Sequence, residues 1–142
     1  MSAILFVLSA TFVIVEEYCM LSKSGKVLLL EESMTLTEIQ KEFSCLFPFL
    51  KLEFYSIRNT LKSTFNANLL SKRLVEFRKR SRMDDLNISP DMSVNALENT
   101  FEEMFDLDVH VYRKSGRSWL ETSATGEWTL SEQNAEGEAL GE

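Results

Sequence analysis

Apolar residues recur along this chain in two rhythms, and the same succession of rhythms occurs twice. Val27 to Leu30 is a short unbroken apolar run with the length of a buried strand. Leu36, Ile39, Phe43, Leu46 and Phe47 follow at spacings that predict an amphipathic helix over Leu36 to Leu46. Thr35 offers an N-cap with Glu38 three residues on, which makes a capping box. Pro48 stops the helix, because the residue before a proline avoids helical angles. Leu50, Leu52 and Phe54 then alternate with Lys51, Glu53 and Tyr55, the pattern of a half-buried strand.

The second occurrence runs from Leu86 to Tyr112. Asp91 or Ser93 caps its helix, with Ala96 where a capping box would want an acid. Val94, Leu97, Phe101, Met104 and Phe105 form the apolar face, and Leu107, Val109 and Val111 alternate with Asp108, His110 and Tyr112. A shift of 58 positions lays Leu28, Met34, Phe43 and Phe47 on Leu86, Met92, Phe101 and Phe105. After one deletion near Pro48, Leu50 and Tyr55 fall on Leu107 and Tyr112. This reads as an internal duplication of 28–55 in 86–112. The alternative is two units alike only because amphipathic helix–strand units resemble one another.

Beyond the second unit, Ser115-Gly116 is a two-residue hairpin signal. It predicts Tyr112 opposite Trp119, Val111 opposite Leu120 and His110 opposite Glu121, with Leu120 joining the core face. Thr129 with Glu132 makes a second capping box and starts a short helix behind Trp128. From Asn134 the tail of Glu, Gly and Ala is expected to fray. Together the elements predict an α+β domain over 34–137. Its mixed sheet, with helices on one face, is built from two similar strand–helix–strand units plus a C-terminal hairpin.

Charge changes this picture in one place. The chain of 142 residues carries a net charge of −7, which argues against general nucleic-acid affinity. Between Arg58 and Arg82, however, eight basic residues face Glu76 alone, leaving +7 there and −14 on the remainder. Leu61, Phe65, Leu69, Leu70, Leu74 and Phe77 keep helical spacing in this connector, best as a helix from Asn68 to Arg80. It reads as a solvated face, as a complement of the chain's own acidic surface, or as an arm for an acidic partner or polyanion through Arg78, Lys79, Arg80 and Arg82. No stacking aromatics interleave with the basic residues, so recognition of a specific nucleic acid is not expected.

The N-terminal stretch reads several ways. Ile4 to Val15 is apolar but shorter than the roughly 20 residues of a membrane span. No basic residue precedes it, as a signal peptide would want. Residues 1–33 therefore read as a weak signal or anchor, or as a stretch ahead of a start at Met34. Cys19 and Cys45 are too few for a disulfide scaffold, and a reducing compartment is the simpler reading. Cys45 reads as a small buried hydrophobe rather than a reactive thiol.

Little in the chain looks catalytic. His110, the only histidine, shares a strand face with Asp108 and Glu121, the start of general acid–base chemistry or a surface ion pair. No nucleophile of suitable spacing accompanies them. Ser24-Gly25-Lys26 lacks the first glycine and the hydroxyl residue of a P-loop. No metal site and no cofactor is expected. Tyr112 and Trp119 form an aromatic pair that either stabilises the hairpin by about 1 kcal/mol or presents a contact patch.

The run from Tyr112 through Trp119 to Trp128-Thr-Leu, with MTLTEIQKEF and FPFLKLEFY upstream, resembles a family of small uncharacterised cytoplasmic proteins of Bacteroidetes-type bacteria. The likeness covers Met34 to about Gly137. It implies a cytoplasmic protein that begins near Met34, with no known activity and no site residues. The expectation is a small binding or interaction module of unknown partner, with Tyr112, Trp119 and the basic cluster as contacts. The alternatives are anion or nucleic-acid binding through 58–82 and an enzyme using His110 with Glu121.

Overall fold

The computed structural model describes residues 27–56, 67–77 and 86–141. In chain order the elements are β1 (Leu28–Leu29), α1 (Leu36–Leu46), β2 (Leu50–Ser56), α2 (Ala67–Leu70), a 3-10 turn (Leu74–Phe77) and β3 (Asn87–Ile88). There follow α3 (Val94–Phe105), β4 (Leu107–Ser115), β5 (Ser118–Glu121), a 3-10 turn (Ser123–Thr125) and α4 (Leu130–Leu140). The class is α+β, as the periodicities predict. Instead of one mixed sheet, the described strands form two antiparallel sheets, β1–β3 and β2–β4–β5.

The alternation seen in the sequence decides which sheet face is buried. Leu50, Leu52 and Phe54 of β2 and Leu107, Val109 and Val111 of β4 are almost wholly inaccessible. They meet Leu36, Ile39 and Phe43 of α1, Val94, Leu97, Phe101 and Phe105 of α3, and Leu130 at the head of α4, in one core. Phe54 and Phe101 meet edge-on, ring centres 5.5 Å apart, a geometry that adds about 0.5–1.5 kcal/mol beyond area burial. Leu28, Leu30, Leu86 and Ile88 extend this core through the small sheet. Residues 28–30 thus pack with the fold although they precede Met34.

The helix starts follow the sequence closely. Thr35 and Glu38 form the reciprocal capping box on α1, and Thr129 and Glu132 form the one on α4. Ser93, not Asp91, caps α3, accepting from the Ala96 N–H at 3.1 Å. At its other end α3 stops on Asp106, whose φ of 55° is left-handed.

Contacts made by the first unit recur in the second. The Leu36 N–H donates to the Lys72 carbonyl, and the Val94 N–H to the Trp128 carbonyl, each at 3.1 Å. Leu74 donates to Met34 at 2.8 Å, and Leu130 to Met92 at 2.9 Å. Bridges join Thr35 to Arg73 and Ser93 to Thr129. Glu76 accepts from the Arg73 N–H at 2.7 Å, as Glu132 does from the Thr129 N–H at 2.8 Å. The middle of the basic connector is therefore packed against α1. It is the short helix α2 and a 3-10 turn, with Leu74 fully buried, and not the continuous helix that spacing predicted. The bonds from Leu36 and Leu74 N–H groups hold that backbone in the α1 entry turn, which a straight helix could not reach.

Two C-terminal expectations are corrected. The hairpin register is shifted by two: Tyr112 faces Glu121, Arg113 faces Leu120, Lys114 faces Trp119 and Ser115 faces Ser118. Gly116 occupies the first central turn position with φ +58°. The predicted turn would have put Ser115 there, at a positive φ that costs a residue with a Cβ. Leu120, expected in the core, is exposed, because it lies across from Arg113 beyond the helix cover. The tail expected to fray from Asn134 is instead helical to Leu140. Asn134 Oδ1 accepts from the Phe49 N–H at 2.9 Å, and the Gly116 N–H donates to the Leu140 carbonyl at 2.7 Å.

Gly137 is what lets α4 lie so close. A Cβ there would sit 2.9 Å from both the Phe49 Cβ and the Phe49 carbonyl oxygen. At an exposed helix position Gly→Ala stabilises by about 1 kcal/mol. Here Gly137→Ala should destabilise by about 1–3 kcal/mol, since a backbone oxygen cannot step aside cheaply. Thermal denaturation followed by circular dichroism checks the sign; an unchanged or raised Tm would show that α4 does not hold this position.

Candidate functional site

Strand alternation turns Lys51, Glu53 and Tyr55 of β2, and Asp108, His110, Tyr112 and Lys114 of β4, away from the core. Trp119 and Glu121 of β5 join them on that face through the observed register. The two-residue shift keeps every residue on its expected face, so Tyr112 and Trp119 remain neighbours, diagonally rather than directly opposed.

At the centre of the face His110 is held from both sides. Its Nε2 lies 3.1 Å from Asp108 Oδ2 and its Nδ1 3.0 Å from Glu121 Oε1. The Tyr55 ring meets the imidazole edge-on at 5.3 Å. The pairing of His110 with Glu121 and Asp108 foreseen from sequence is thus present. Both ring nitrogens are already engaged, so a proton shuttle to substrate would first have to give up a carboxylate. Tyr55 and Tyr112 bring their hydroxyls to 3.1 Å across the sheet. Burial, and then that hydrogen bond, pushes the Tyr55 phenol well above its ordinary value.

Towards the hairpin the face becomes basic and aromatic. Lys114 Nζ lies 5.0 Å and Lys51 Nζ 5.8 Å from the Trp119 ring centre. Lys51 also pairs with Glu53 at 3.0 Å. On the other side of the sheet, Arg113 donates to the fully buried Gln133 at 2.9 Å and stacks 5.7 Å over Trp128. Sequence reasoning missed Lys114 and Lys51 as companions of Trp119; only the pairing of β2 with β4 brings Lys51 within reach.

Arg78, Lys79, Arg80 and Arg82 lie outside the described residues. Cys45 is half-buried on α1 and disulfide-bonded, not the buried free thiol expected. Among the described residues, no group of three or more His, Cys, Asp and Glu side chains is arranged to hold a metal. Nor is any described helix long and apolar enough to cross a membrane. An open groove of about 410 Å³ follows the outer edge of β2 beside α1. Its backbone acceptors are already occupied, Leu52 by Gln40 at 2.9 Å and Leu50 by Ser44 at 3.3 Å.

Glu98 on α3 is a carboxyl that its surroundings shift. Partial burial raises its pKa, opposed by His110 and by a hydrogen bond from the Val111 backbone, with Asp108 and Glu121 adding to the rise. A carboxyl raised in the folded state contributes stability below its unfolded value and loses it as pH climbs through the folded one. Glu98→Gln should therefore stabilise the protein at neutral pH, by about 0.5 kcal/mol after solvent screening. It should also flatten the fall in stability above the carboxylate range. Urea titrations at several pH values check both; a variant less stable at neutral pH would show the charge to be favourable.

Compared with family models, with curated proteins and with solved structures, the chain matches none.

Proposed function

We propose that the protein is a small non-catalytic binding module, built from two copies of one strand–helix–strand unit, that recognises its partner on the open face of the β2–β4–β5 sheet. The observation that carries this reading is the group Tyr55, Tyr112, Trp119, Lys51 and Lys114, gathered on one sheet face opposite the helices. Tyrosine and tryptophan are enriched in binding hot spots, and the two lysines beside Trp119 add positive charge. The engagement of both His110 nitrogens stands against the enzyme alternative. The recurrence of the same hydrogen bonds in both halves supports the duplication.

The partner such a face fits is a protein or peptide with acidic groups near an apolar side chain, matching Lys51 and Lys114 around Trp119. Tyr112→Ala with Trp119→Ala should lower partner capture by the full chain at least about tenfold, as loss of hot-spot residues does. His110→Ala should leave capture intact. Capture unaffected by the double variant would remove the face from consideration. Anion binding through the basic segment remains the second reading, favoured by its charge of +7. Retention of a polyanion that survives the double variant and falls steeply with salt would support it.

The sequence resemblance implies a cytoplasmic protein, whereas the disulfide at Cys45 is the observation against it, since cytosolic thiols are kept reduced. Alkylation trapping in intact cells separates the two. A reduced Cys45 keeps the protein in the cytoplasm, and an oxidised one favours export.

A further inference from the structure

β5 is the outer strand of its sheet, and all four of its residues are exposed. The hairpin closes at Ser115 and Ser118, and the Thr122 N–H donates to the Val111 carbonyl at 3.1 Å. Ser118, Leu120 and Thr122 therefore turn their backbone groups towards β4. Strand periodicity then sends the N–H and C=O of Trp119 and Glu121 the other way, into solvent. Among the described residues nothing bonds to them. Of the devices that keep edge strands from pairing, β5 has its short length and Glu121, but no proline, lysine or bulge.

The sequence around this edge is self-complementary. Antiparallel pairing of two β5 strands about Trp119 sets the two Trp119 residues opposite each other, where they exchange two backbone hydrogen bonds. The same register brings Arg117, in the turn that leads into each β5, towards Glu121 of the other copy, the carboxylate that also meets His110. Four large apolar side chains surround the edge: Trp119 (38% exposed), Leu120 (47%), Trp128 (39%) and Leu140 (46%). Leu120 and Trp128 flank Arg113, and Leu140 accepts at the hairpin turn from Gly116. A stable interface buries about 800 Å² on each partner, more than four residues of backbone supply. These side chains extend the strip beyond the strand itself.

We propose that a second copy of this chain adds to β5, edge to edge and antiparallel about Trp119, so that the two three-stranded sheets become one. This goes beyond the partner-binding reading, because the edge of the sheet carries it; Trp119 is the one residue the two surfaces share.

The test is a charge swap in the full chain, read by sedimentation equilibrium over micromolar to near-millimolar protein. The wild type should dimerise. Arg117→Glu sets Glu against Glu twice in its own dimer, and Glu121→Lys sets Arg against Lys twice. Each should weaken self-association about tenfold or more. Mixing the two variants makes both pairs opposite again and should restore association. That recovery also shows that each variant is folded. In the wild type, hydrogen exchange at the Trp119 amide should slow as protein concentration rises. A wild type that stays monomeric throughout, variants that associate as the wild type does, or a mixture as weak as its components would each overturn the proposal. Arg117→Glu changes no residue of the open-face group, so its self-association read beside its partner capture distinguishes a failure of this proposal from a failure of the open-face reading.

Discussion

The register between β2 and β4 is the constraint on which the other contacts depend. Seven pairs run from Leu50 opposite Arg113 to Ser56 opposite Leu107. Because side chains alternate faces, a slip of one residue in either strand would carry its whole apolar set into water. Leu50, Leu52 and Phe54 would trade places with Lys51, Glu53 and Tyr55. The helices have nowhere else to lay their apolar stripes, so α1, α3 and α4 are placed by that register as much as by their own caps. One pairing thus fixes a core of both halves and, on the reverse face, the assembly of tyrosine, histidine and lysine side chains.

Each half then closes on itself through its helix entrance. The first turns of α1 and α3 receive backbone from a later segment, at Lys72 and Trp128 respectively. N-terminal helix N–H groups lack partners within the helix, and here a capping side chain meets part of that need. The returning chain meets another part, which ties the connector and the C-terminal segment into the fold. Gln40 and Glu98 stand 58 positions apart, the offset of the proposed duplication, and both reach strand backbone. A neutral amide serves at one place and a carboxylate at the other, so the halves share geometry while differing in charge.

The elements that sequence made legible are those whose signal is local. The Thr35–Glu38 and Thr129–Glu132 boxes, the stripe from Leu36 to Phe47 and the alternation in both long strands all appear where spacing put them. Two of the departures involve distant partners. Nothing near Asn134 announces that its amide will hold the Phe49 N–H, so a Glu- and Gly-rich tail looked unsupported. The segment around Leu74 has helical spacing, yet bonds to Met34 and Glu32 break it into shorter turns. The hairpin departs for a local reason: Ser-Gly predicts Ser115 and Gly116 as the central pair, whereas glycine serves equally well at the first central position with Arg117 second. Of the candidate site, the His110 clamp and the Tyr112–Trp119 neighbourhood follow from the Ser-Gly hairpin with strand alternation, and survive its register shift because a shift of two keeps each residue on its face. Lys51 was not, because it arrives from a strand about 60 residues away.

The meeting of Tyr55 and Tyr112 has a consequence for the likeness of the halves. In the proposed duplication these tyrosines hold the same place, and their hydroxyl oxygens lie 3.1 Å apart above the middle of the sheet, where Glu53 pairs with His110. Two hydroxyls in one hydrogen bond cannot behave alike: one gives its hydrogen and the other receives it. The receiving oxygen still carries its own hydrogen, which must point somewhere else. At this one contact the two halves are obliged to differ, and the open face is left with a single uncommitted O–H at its centre.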